Sequence, residues 1–282
     1  KKCSYDTQKI INNEDLMKKI VWIASYPKSG NTWVRSILAN AIFRESDISK
    51  FSQLIPSLPA LNYALHPRKN EIRDYGEVML ALGQTQKVIA ENSNGSRCIV
   101  KTHTACGSIN GIHFPELKYT AAVIYLLRDP RDVLISWAAH MDKSFEETER
   151  IMLDSNFRIA QPGQPMNREF LSSWENHVKG WQKFEICPLI VKYEDLVFDT
   201  EKSINKILGH LHIDARGRID EILSKTSFGE LQRQENNAGF SEQRGSEMFF
   251  RKGKVGSWQN SDFDFSKISQ KFEQTMTAFN YL

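Results

Sequence analysis

Residues 21–38 read VWIASYPKSGNTWVRSIL, and this stretch decides the fold that we expect of the chain. The opening VWIAS is an apolar run that is long enough for a buried strand and too short for a helix. Tyr26 and Pro27 end the run, because proline cannot donate to a sheet ladder and biases the preceding residue towards extended geometry. From Trp33 onward, apolar residues return at helical spacing. The stretch therefore predicts a strand, a tight turn and a helix.

The turn at residues 28–32, KSGNT, has the composition of an anion-binding loop. Lys28 supplies a cation, and Gly30 is free to adopt a positive φ angle. Backbone N–H groups and a lysine that converge at such a turn can hold a phosphate or a sulfate. Glycine-containing turns between a strand and a helix also occur where nothing binds, but this one has more polar side chains than a plain turn needs. It is not the P-loop GxxxxGK[ST], since its lysine precedes the glycine, so an ordinary ATPase is disfavoured.

The composition is that of an ordinary soluble globular chain of 282 residues, with 40% hydrophobic and 25% charged residues. A net charge of +3 gives no support to a nucleic-acid coat or a polybasic membrane anchor. No apolar run approaches the roughly 20 residues of a membrane helix, and residues 1–19 lack the core of a signal peptide. The cysteines, which have neither CxxC pairing nor metal-site spacing, are Cys3, Cys98, Cys106 and Cys187. We expect a cytoplasmic location, with no membrane, nucleic-acid or metal partner.

Three further apolar runs, at residues 97–103, 121–127 and 189–193, predict the other strands of a sheet. Because these runs alternate with helical segments and no linker divides the chain, we expect an α/β fold. It is a single domain over residues 1–282, with a central parallel β-sheet flanked by helices. Further helices are expected over residues 8–19, 77–92, 132–142, 174–184 and 194–210. Residues 44–75 are expected to be irregular, and residues 154–167 to form a flexible excursion.

Polar residues follow the predicted strand ends, where ligands bind in such sheets. The loop at residues 26–32, His103, Arg128 and Tyr193 are therefore expected to meet in one crevice. Lys101 lies two residues before His103, on the same side of an extended strand. A lone histidine is more often structural than catalytic. At this place, however, a neutral imidazole can accept a proton from a hydroxyl or an amine, and the lysine can stabilise developing negative charge.

Two basic segments complete the candidate site. In RDPRDVLIS, residues 128–136, the planar guanidinium of Arg128 suits a bidentate phosphate contact, although the segment can also be a charged turn with internal ion pairs. In FFRKGKVGSW, residues 249–258, glycines separate the basic residues. This second segment is either a solvated basic loop or a gate that becomes ordered when a nucleotide binds.

Taken together, these motifs resemble those of the PAPS-dependent sulfotransferases, PAPS being 3′-phosphoadenosine 5′-phosphosulfate. YPKSGNTW looks like the family's 5′-phosphosulfate loop, KTH like its catalytic segment, and RDPRDVLIS and RKGKVGSW like its 3′-phosphate motifs. Asp129 and Ser257 depart from the family's usual Asn and Asp. VKYED and KTSF are weaker matches. The resemblance covers residues 21–258 and is of the cytosolic type, closest in spelling to bacterial enzymes that tailor secondary metabolites and toxins.

The resemblance implies a P-loop-like nucleotide-binding fold and a role for each matching residue. His103 is the implied base, Lys28 neutralises the bridging oxygen, and Lys101 stabilises the sulfuryl group in transfer. Ser136 binds the 3′-phosphate and restrains the lysine. Trp33 either stacks on adenine or belongs to the core. The residues implied to bind PAPS, or its product PAP (3′,5′-ADP), are Lys28, Ser29, Gly30, Asn31, Thr32, Trp33, Arg128, Ser136, Tyr193, Thr226, Phe228, Phe250, Arg251, Lys252 and Gly253.

The expected reaction moves the sulfuryl group from PAPS to a hydroxyl or an amine or amide nitrogen of a small molecule, a secondary metabolite or toxin. Residues 44–75, 104–118 and 140–170 are expected to shape a pocket for a polar, even cationic, acceptor. For residues 44–75 a loop docked on the core is the alternative. Two other functions stay open, a metal-dependent phosphotransferase and a sulfotransferase-like binder without catalysis. The family's dimerisation motif KxxxTVxxxE is not recognisable after Trp258, so the oligomeric state is open.

Overall fold

A four-stranded parallel sheet forms the centre of the fold in the computed structural model, which describes residues 20–66, 75–93, 97–109, 111–161 and 164–282. The strands are β1 Ile20–Ser25, β2 Cys98–Thr102, β3 Gly107–Ile109, β4 Ile112–Phe114, β5 Thr120–Leu127, β6 Arg158–Gln161, β7 Gln164–Phe170 and β8 Leu189–Lys192. The central sheet has the order β2-β1-β5-β8, with all pairs parallel. The expected parallel sheet is confirmed, with the strand of residues 21–25 in its interior.

Helices cover both faces of this sheet. They are α1 Asn31–Phe43, α2 Phe51–Leu54, α3 Leu58–Leu65, α4 Tyr75–Asn92, α5 Pro130–Met141, α6 Phe145–Leu153, α7 Trp174–Gln182, α8 Tyr193–Phe198, α9 Thr200–His210, α10 Ile219–Lys225, α11 Phe228–Ala238, α12 Ser266–Lys271 and α13 Glu273–Ala278. Alternate residues of β1 belong to two separate apolar clusters, Trp22 to one and Ile23 to the other. Strands buried on both faces have few polar positions, which is why the apolar runs were readable in the sequence.

The segment expected to be irregular at residues 44–75 is largely helical where it is described, so that prediction was wrong. It contains a 3₁₀ turn at Ile48–Lys50 followed by α2 and α3. Ser57 accepts from the backbone N–H of Ala60 at 3.4 Å and begins α3, with a proline at its first turn. The N–H of Lys101 donates to the carbonyl of Pro56 at 2.9 Å, which ties the segment to the edge of β2.

The predicted flexible excursion at residues 154–167 was also wrong, because β6 and β7 pair there as an antiparallel hairpin. The hairpin is fixed to the core by backbone bonds outside its own ladder. The N–H of Ala105 donates to the carbonyl of Phe170 at 2.7 Å, and the N–H of Leu171 donates to the carbonyl of Phe157 at 3.0 Å. The first of these bonds joins β7 to the segment after β2, 65 residues away in sequence, and the second closes the open end of the hairpin.

The remaining helix predictions agree with the structure to within two residues, apart from one break. The helix expected over residues 194–210 is two helices, α8 and α9, since Asp199 caps the second by accepting from the N–H of Lys202 at 3.3 Å. The helix expected over residues 8–19 lies outside the described residues. In the described part of the chain, no helix combines the length and the apolar character needed to cross a bilayer.

Candidate active site

One cavity of about 540 Å³ opens at the carboxyl ends of the central strands. Its size is within the roughly 300–1,000 Å³ of ordinary ligand sites. Fifteen of the seventeen predicted site residues line it, namely Lys28, Gly30, Asn31, Thr32, Trp33, Lys101, His103, Arg128, Ser136, Tyr193, Phe228, Phe250, Arg251, Lys252 and Gly253. The strand ends thus meet in one crevice.

The loop between β1 and α1 presents an uncapped helix N-terminus to this cavity. Gly30 precedes α1 with a φ of 96°, and no side chain caps the first turn. A Cβ on Gly30 would lie 2.9 Å from Cδ2 of Tyr193, so this position requires glycine for both conformation and space. Asn31 donates from Nδ2 to the carbonyl of Ile23 at 3.1 Å, which fixes the turn on its strand. The first N–H groups of α1 therefore lack intrahelical acceptors and are available to an anion.

Lys28 carries its ammonium group into a buried, cationic environment. Its backbone has a φ of 64°, a left-handed conformation that is uncommon outside glycine. Its Nζ lies 3.7 Å from the centre of the Phe249 ring. Burial, with Arg128 and Lys101 nearby, lowers the pKa of Lys28 to about 7. Such a lysine gains its full charge when an anion arrives beside it.

The imidazole of His103 is held in one tautomer. Its Nδ1 lies 2.8 Å from the carbonyl oxygen of Ser25, and a carbonyl can only accept, so Nδ1 carries the proton. The ring Nε2 is then the lone-pair nitrogen, and it makes no hydrogen bond with the described residues. Burial and the charge of Lys101 lower the pKa of His103 well below its ordinary value, which keeps the ring neutral. A neutral imidazole beside the anion loop is the state that a general base needs.

Arg128 connects the two predicted phosphate loops. Its guanidinium donates to the carbonyl of Lys28 at 3.0 Å and to the carbonyl of Lys254 at 3.1 Å. It also lies over the ring of Tyr193, 4.1 Å from the ring centre. Its Nε is buried and has no partner among the described residues. An unsatisfied guanidinium nitrogen at a cavity wall fits a site that receives a phosphate.

Arg131, the second arginine of RDPRD, does not belong to the cavity. It donates to Asp129 at 2.7 Å and to the carbonyl of Tyr281 at 2.7 Å, and it stacks on Trp258. Asp129 directly precedes Pro130 and is the N-cap of α5, since its side chain accepts from the N–H of Arg131 at 2.9 Å. Asp129 can therefore replace the family's Asn at this position, since aspartate is an equally good N-cap.

The basic loop at residues 249–258 is anchored by carboxylates from other elements. Asp132 accepts from the N–H groups of Gly256 at 2.8 Å and of Trp258 at 3.1 Å. Glu235 accepts from Phe250 at 2.8 Å, at the other end of the loop. Asp132 therefore anchors the loop in which Ser257 stands where the family has Asp.

Sequence reasoning missed Glu242, which lies among the predicted cations. Its carboxylate pairs with Lys101 at 3.3 Å and with the buried Arg35, and it accepts from Thr32 at 3.2 Å. Those cations hold the pKa of Glu242 well below its ordinary range. The sequence did offer one signal, since a charged Arg35 in an apolar helix requires a buried partner. Nothing in the sequence indicated which carboxylate it would be.

Other parts of the predicted site differ in position. The hydroxyl of Thr226 donates to Ile222 at 2.7 Å, and its carbonyl accepts from Trp33 Nε1 at 2.8 Å, so its side chain does not reach the cavity. Ser29 is fully buried within the loop and does not line the cavity. Ser136 lines the cavity but makes no bond to Lys28 within the described residues. Of the three predicted acceptor segments, residues 104–118 contribute no lining residue among those described, whereas residues 44–75 and 140–170 both do.

The charges of the cavity wall suit a polyanion. Seven basic side chains and three acidic ones line it, an excess of four, which is larger than the net +3 of the whole chain. The described residues contain no group of His, Cys, Asp and Glu arranged to hold a metal ion. With the uncapped helix and the unsatisfied Arg128 Nε, this donor set fits a nucleotide that has phosphate groups at both ends.

Comparisons with known proteins agree with this geometry. A family model described as the sulfotransferase domain matches residues 18–279. Cytosolic sulfotransferase 7 of Arabidopsis thaliana is 29% identical over 84% of this chain and 72% of its own. Flavonol 3-sulfotransferase of Flaveria bidentis is 25% identical over 92% of this chain and 82% of its own.

Two solved structures share the fold. Retinol dehydratase in complex with androsterone and inactive cofactor PAP superposes with a TM-score of 0.60 and 21% identity, over 93% of this chain and 82% of that one. Mouse sulfotransferase SULT7A1 complexed with PAP has a TM-score of 0.56 and 20% identity, over 94% of this chain and 85% of its own.

Proposed function

Because the chain belongs to the sulfotransferase family, we propose that it moves a sulfuryl group from PAPS to a hydroxyl or an amine or amide nitrogen of a small-molecule acceptor. The observation that carries the proposal is His103. Its Nδ1 proton is committed to Ser25, and the ring lines the cavity that contains the anion-binding loop. A base and an anion site in one cavity are what sulfuryl transfer needs. A phosphotransferase is disfavoured by the family.

The nucleotide half of the site is assigned to the loop after β1 and to the two basic segments. The free N–H groups at the start of α1 and the ammonium of Lys28 would hold the 5′-phosphosulfate. Arg128, Ser136 and Arg251 would hold the 3′-phosphate. The rings of Trp33 and Tyr193 pack edge to face with their centres 6.2 Å apart, and they would line the adenine site. Thr226 would act through its carbonyl bond to Trp33 rather than by direct contact.

In the transfer step, His103 Nε2 accepts the proton of the acceptor's hydroxyl or amine while the acceptor atom bonds to sulfur. The bond between sulfur and the bridging phosphate oxygen breaks, and the charge that develops on this oxygen is neutralised by Lys28. Lys101 is paired with Glu242 and would turn towards the sulfuryl group as it is transferred. Preorganised cations of this kind stabilise the transition state without reorganisation at the moment of reaction.

The first experiment is a calorimetric titration of the protein with 3′,5′-ADP and with 5′-AMP, both without metal. Tight binding of the bisphosphate and far weaker binding of the monophosphate are expected, because Arg128 and Arg251 have no second phosphate to contact in 5′-AMP. Equal or absent binding would refute the assignment. Binding without sulfation of any acceptor by PAPS would identify the chain as a nucleotide binder that has lost catalysis.

The finer features of the proposal concern the location, the acceptor and the extent of the domain. A cytoplasmic location is in line with relatives that are named cytosolic sulfotransferases. The likeness to bacterial tailoring enzymes, the secondary-metabolite or toxin acceptor and the single domain over residues 1–282 stay predictions. An acceptor screen with the wild type and with His103→Ala tests the reaction class directly.

A further inference from the structure

Glu169 is a buried carboxylate in the cavity that the reaction described above does not use. It lies on β7, opposite Ile159 of β6, and both residues line the cavity. The residue is only 9% exposed. Its Oε1 accepts from the backbone N–H of His103 at 2.7 Å. The carboxylate is therefore adjacent to the residue that acts as the base.

Within the described residues, no basic side chain lies at ion-pair distance from Glu169. Lys101, a neighbouring cation, pairs with Glu242 instead, at 3.3 Å, and Glu242 also takes the charge of Arg35. Among the residues that the structure describes, the N–H of His103 is the one hydrogen-bond donor to Glu169. Burial raises the pKa of Glu169, and the charges of Lys101 and Arg244, which lie farther away than an ion pair, oppose this shift without cancelling it. An unpaired buried carboxylate is costly to a fold, which makes a ligand the natural partner.

A purely positional role explains the side chain only in part. One backbone N–H needs one neutral acceptor oxygen, which a glutamine would provide without the cost of burying a charge. A role in nucleotide binding is opposed by the sign of the charge, because a carboxylate repels phosphate and sulfate. The nucleotide residues also come from other elements, the start of α1, the start of α5 and the loop at residues 249–254. The hairpin that carries Glu169 belongs instead to residues 140–170, one of the segments predicted to shape the acceptor pocket, and it lines the cavity through Ile159 and Glu169.

We propose that Glu169 recognises a cationic group of the acceptor, so that the natural acceptor carries an ammonium or guanidinium near the hydroxyl or amine that is sulfated. The proposal rests on the proposed function and adds the substrate class to it. One carboxylate oxygen stays bonded to His103, and the other receives the N–H groups of the acceptor. The cation of the acceptor is thereby held beside the backbone of His103. This contact orients the nucleophile of the acceptor towards His103 Nε2.

The test uses acceptor pairs that differ only in a terminal ammonium or hydroxyl, the simplest being tyramine and tyrosol. Sulfation is measured with PAPS, and binding is measured in the complex with 3′,5′-ADP. We compare the wild type with Glu169→Gln, which keeps an oxygen for His103 and removes the charge. Glu91→Gln, at an exposed position outside the cavity, makes the same chemical change where no effect is expected. Glu169→Leu removes both the charge and the acceptor oxygen.

The wild type is expected to favour the ammonium member of a pair, and Glu169→Gln to lose roughly 30-fold in kcat/KM for it, as for a broken buried charge pair. The neutral member should change less than about twofold in this variant. The proposal is overturned if the wild type neither binds nor prefers the cations, or if Glu169→Gln keeps the preference. If Glu169 only positioned His103, Glu169→Leu would lower kcat/KM equally for both acceptors of a pair, and Glu169→Gln would lower it for neither. Titration with 3′,5′-ADP separates these outcomes from a failure of the proposed function, since Glu169→Gln should bind it unchanged.

Discussion

Binding of the bisphosphate product should take up a proton, and Lys28 is the reason. Its buried ammonium, near Arg128 and Lys101, has its pKa lowered to about 7. At pH 8 about nine tenths of the free protein therefore carries a neutral Lys28. A phosphate beside Nζ restores the charged form, so Lys28 should take up about 0.9 proton on binding at pH 8 and about 0.5 at pH 7.

The sign of the pH dependence follows from this coupling. The bound state holds more protons than the free state above pH 7, so affinity falls as the pH rises. With a free pKa of about 7 and a normal bound pKa, the dissociation constant should increase about 50-fold between pH 7 and pH 9. The 3′- and 5′-phosphates contribute little, because the second ionisation of each, near pH 6, is nearly complete above pH 7. His140 does not contribute, because its pKa is lowered by burial to about 3.

The assay is calorimetry of 3′,5′-ADP binding at pH 7 and pH 8 in buffers that differ in ionisation enthalpy. The change of the apparent enthalpy with the buffer gives the number of protons taken up. Lys28→Arg is the matched control, since arginine stays charged and should bind with no uptake at either pH. No uptake by the wild type at pH 8, or the same uptake by Lys28→Arg, would refute the assignment of the proton to Lys28.

Three further substitutions test separate parts of the site. His103→Ala should lower kcat by roughly 100- to 10,000-fold and leave the binding of 3′,5′-ADP unchanged. A loss of nucleotide binding in this variant would show that His103 has a structural role instead. Asp132→Ala removes the carboxylate that accepts from the N–H of Gly256 at 2.8 Å, so the affinity for 3′,5′-ADP, measured by calorimetry, should fall roughly 10-fold. An unchanged affinity would show that the loop does not need this anchor. Gly30→Ala places a Cβ 2.9 Å from the Tyr193 ring on a residue whose φ is 96°. The free energy of unfolding should fall by about 1–3 kcal/mol, and an unchanged midpoint of denaturant unfolding would contradict this.

The parts of the fold that the sequence predicted are those whose causes are local. The strand, turn and helix of residues 20–43 follow from a short apolar run, a proline and a glycine that lie next to one another. The strands at 98–102, 120–127 and 189–192 were readable because burial on both faces leaves them continuously apolar. The hairpin of β6 and β7 was not predicted, since it is held on the core by a bond from Ala105, which lies outside its own sequence.

For the site, the sequence by itself determined which groups are present, a lysine and free amides after β1, a histidine after β2 and an arginine after β5. The sheet topology then brought them together, because the ends of parallel strands meet at one edge. Only the tertiary structure decided which charges are compensated. Glu242 pairs with Lys101 across 141 residues, while Glu169 contacts the His103 backbone across 66 residues and has no basic side chain at ion-pair distance in the described part of the chain. Compensation of buried charge depends on distances of a few ångströms between segments remote in the chain, and a linear sequence does not encode those distances locally.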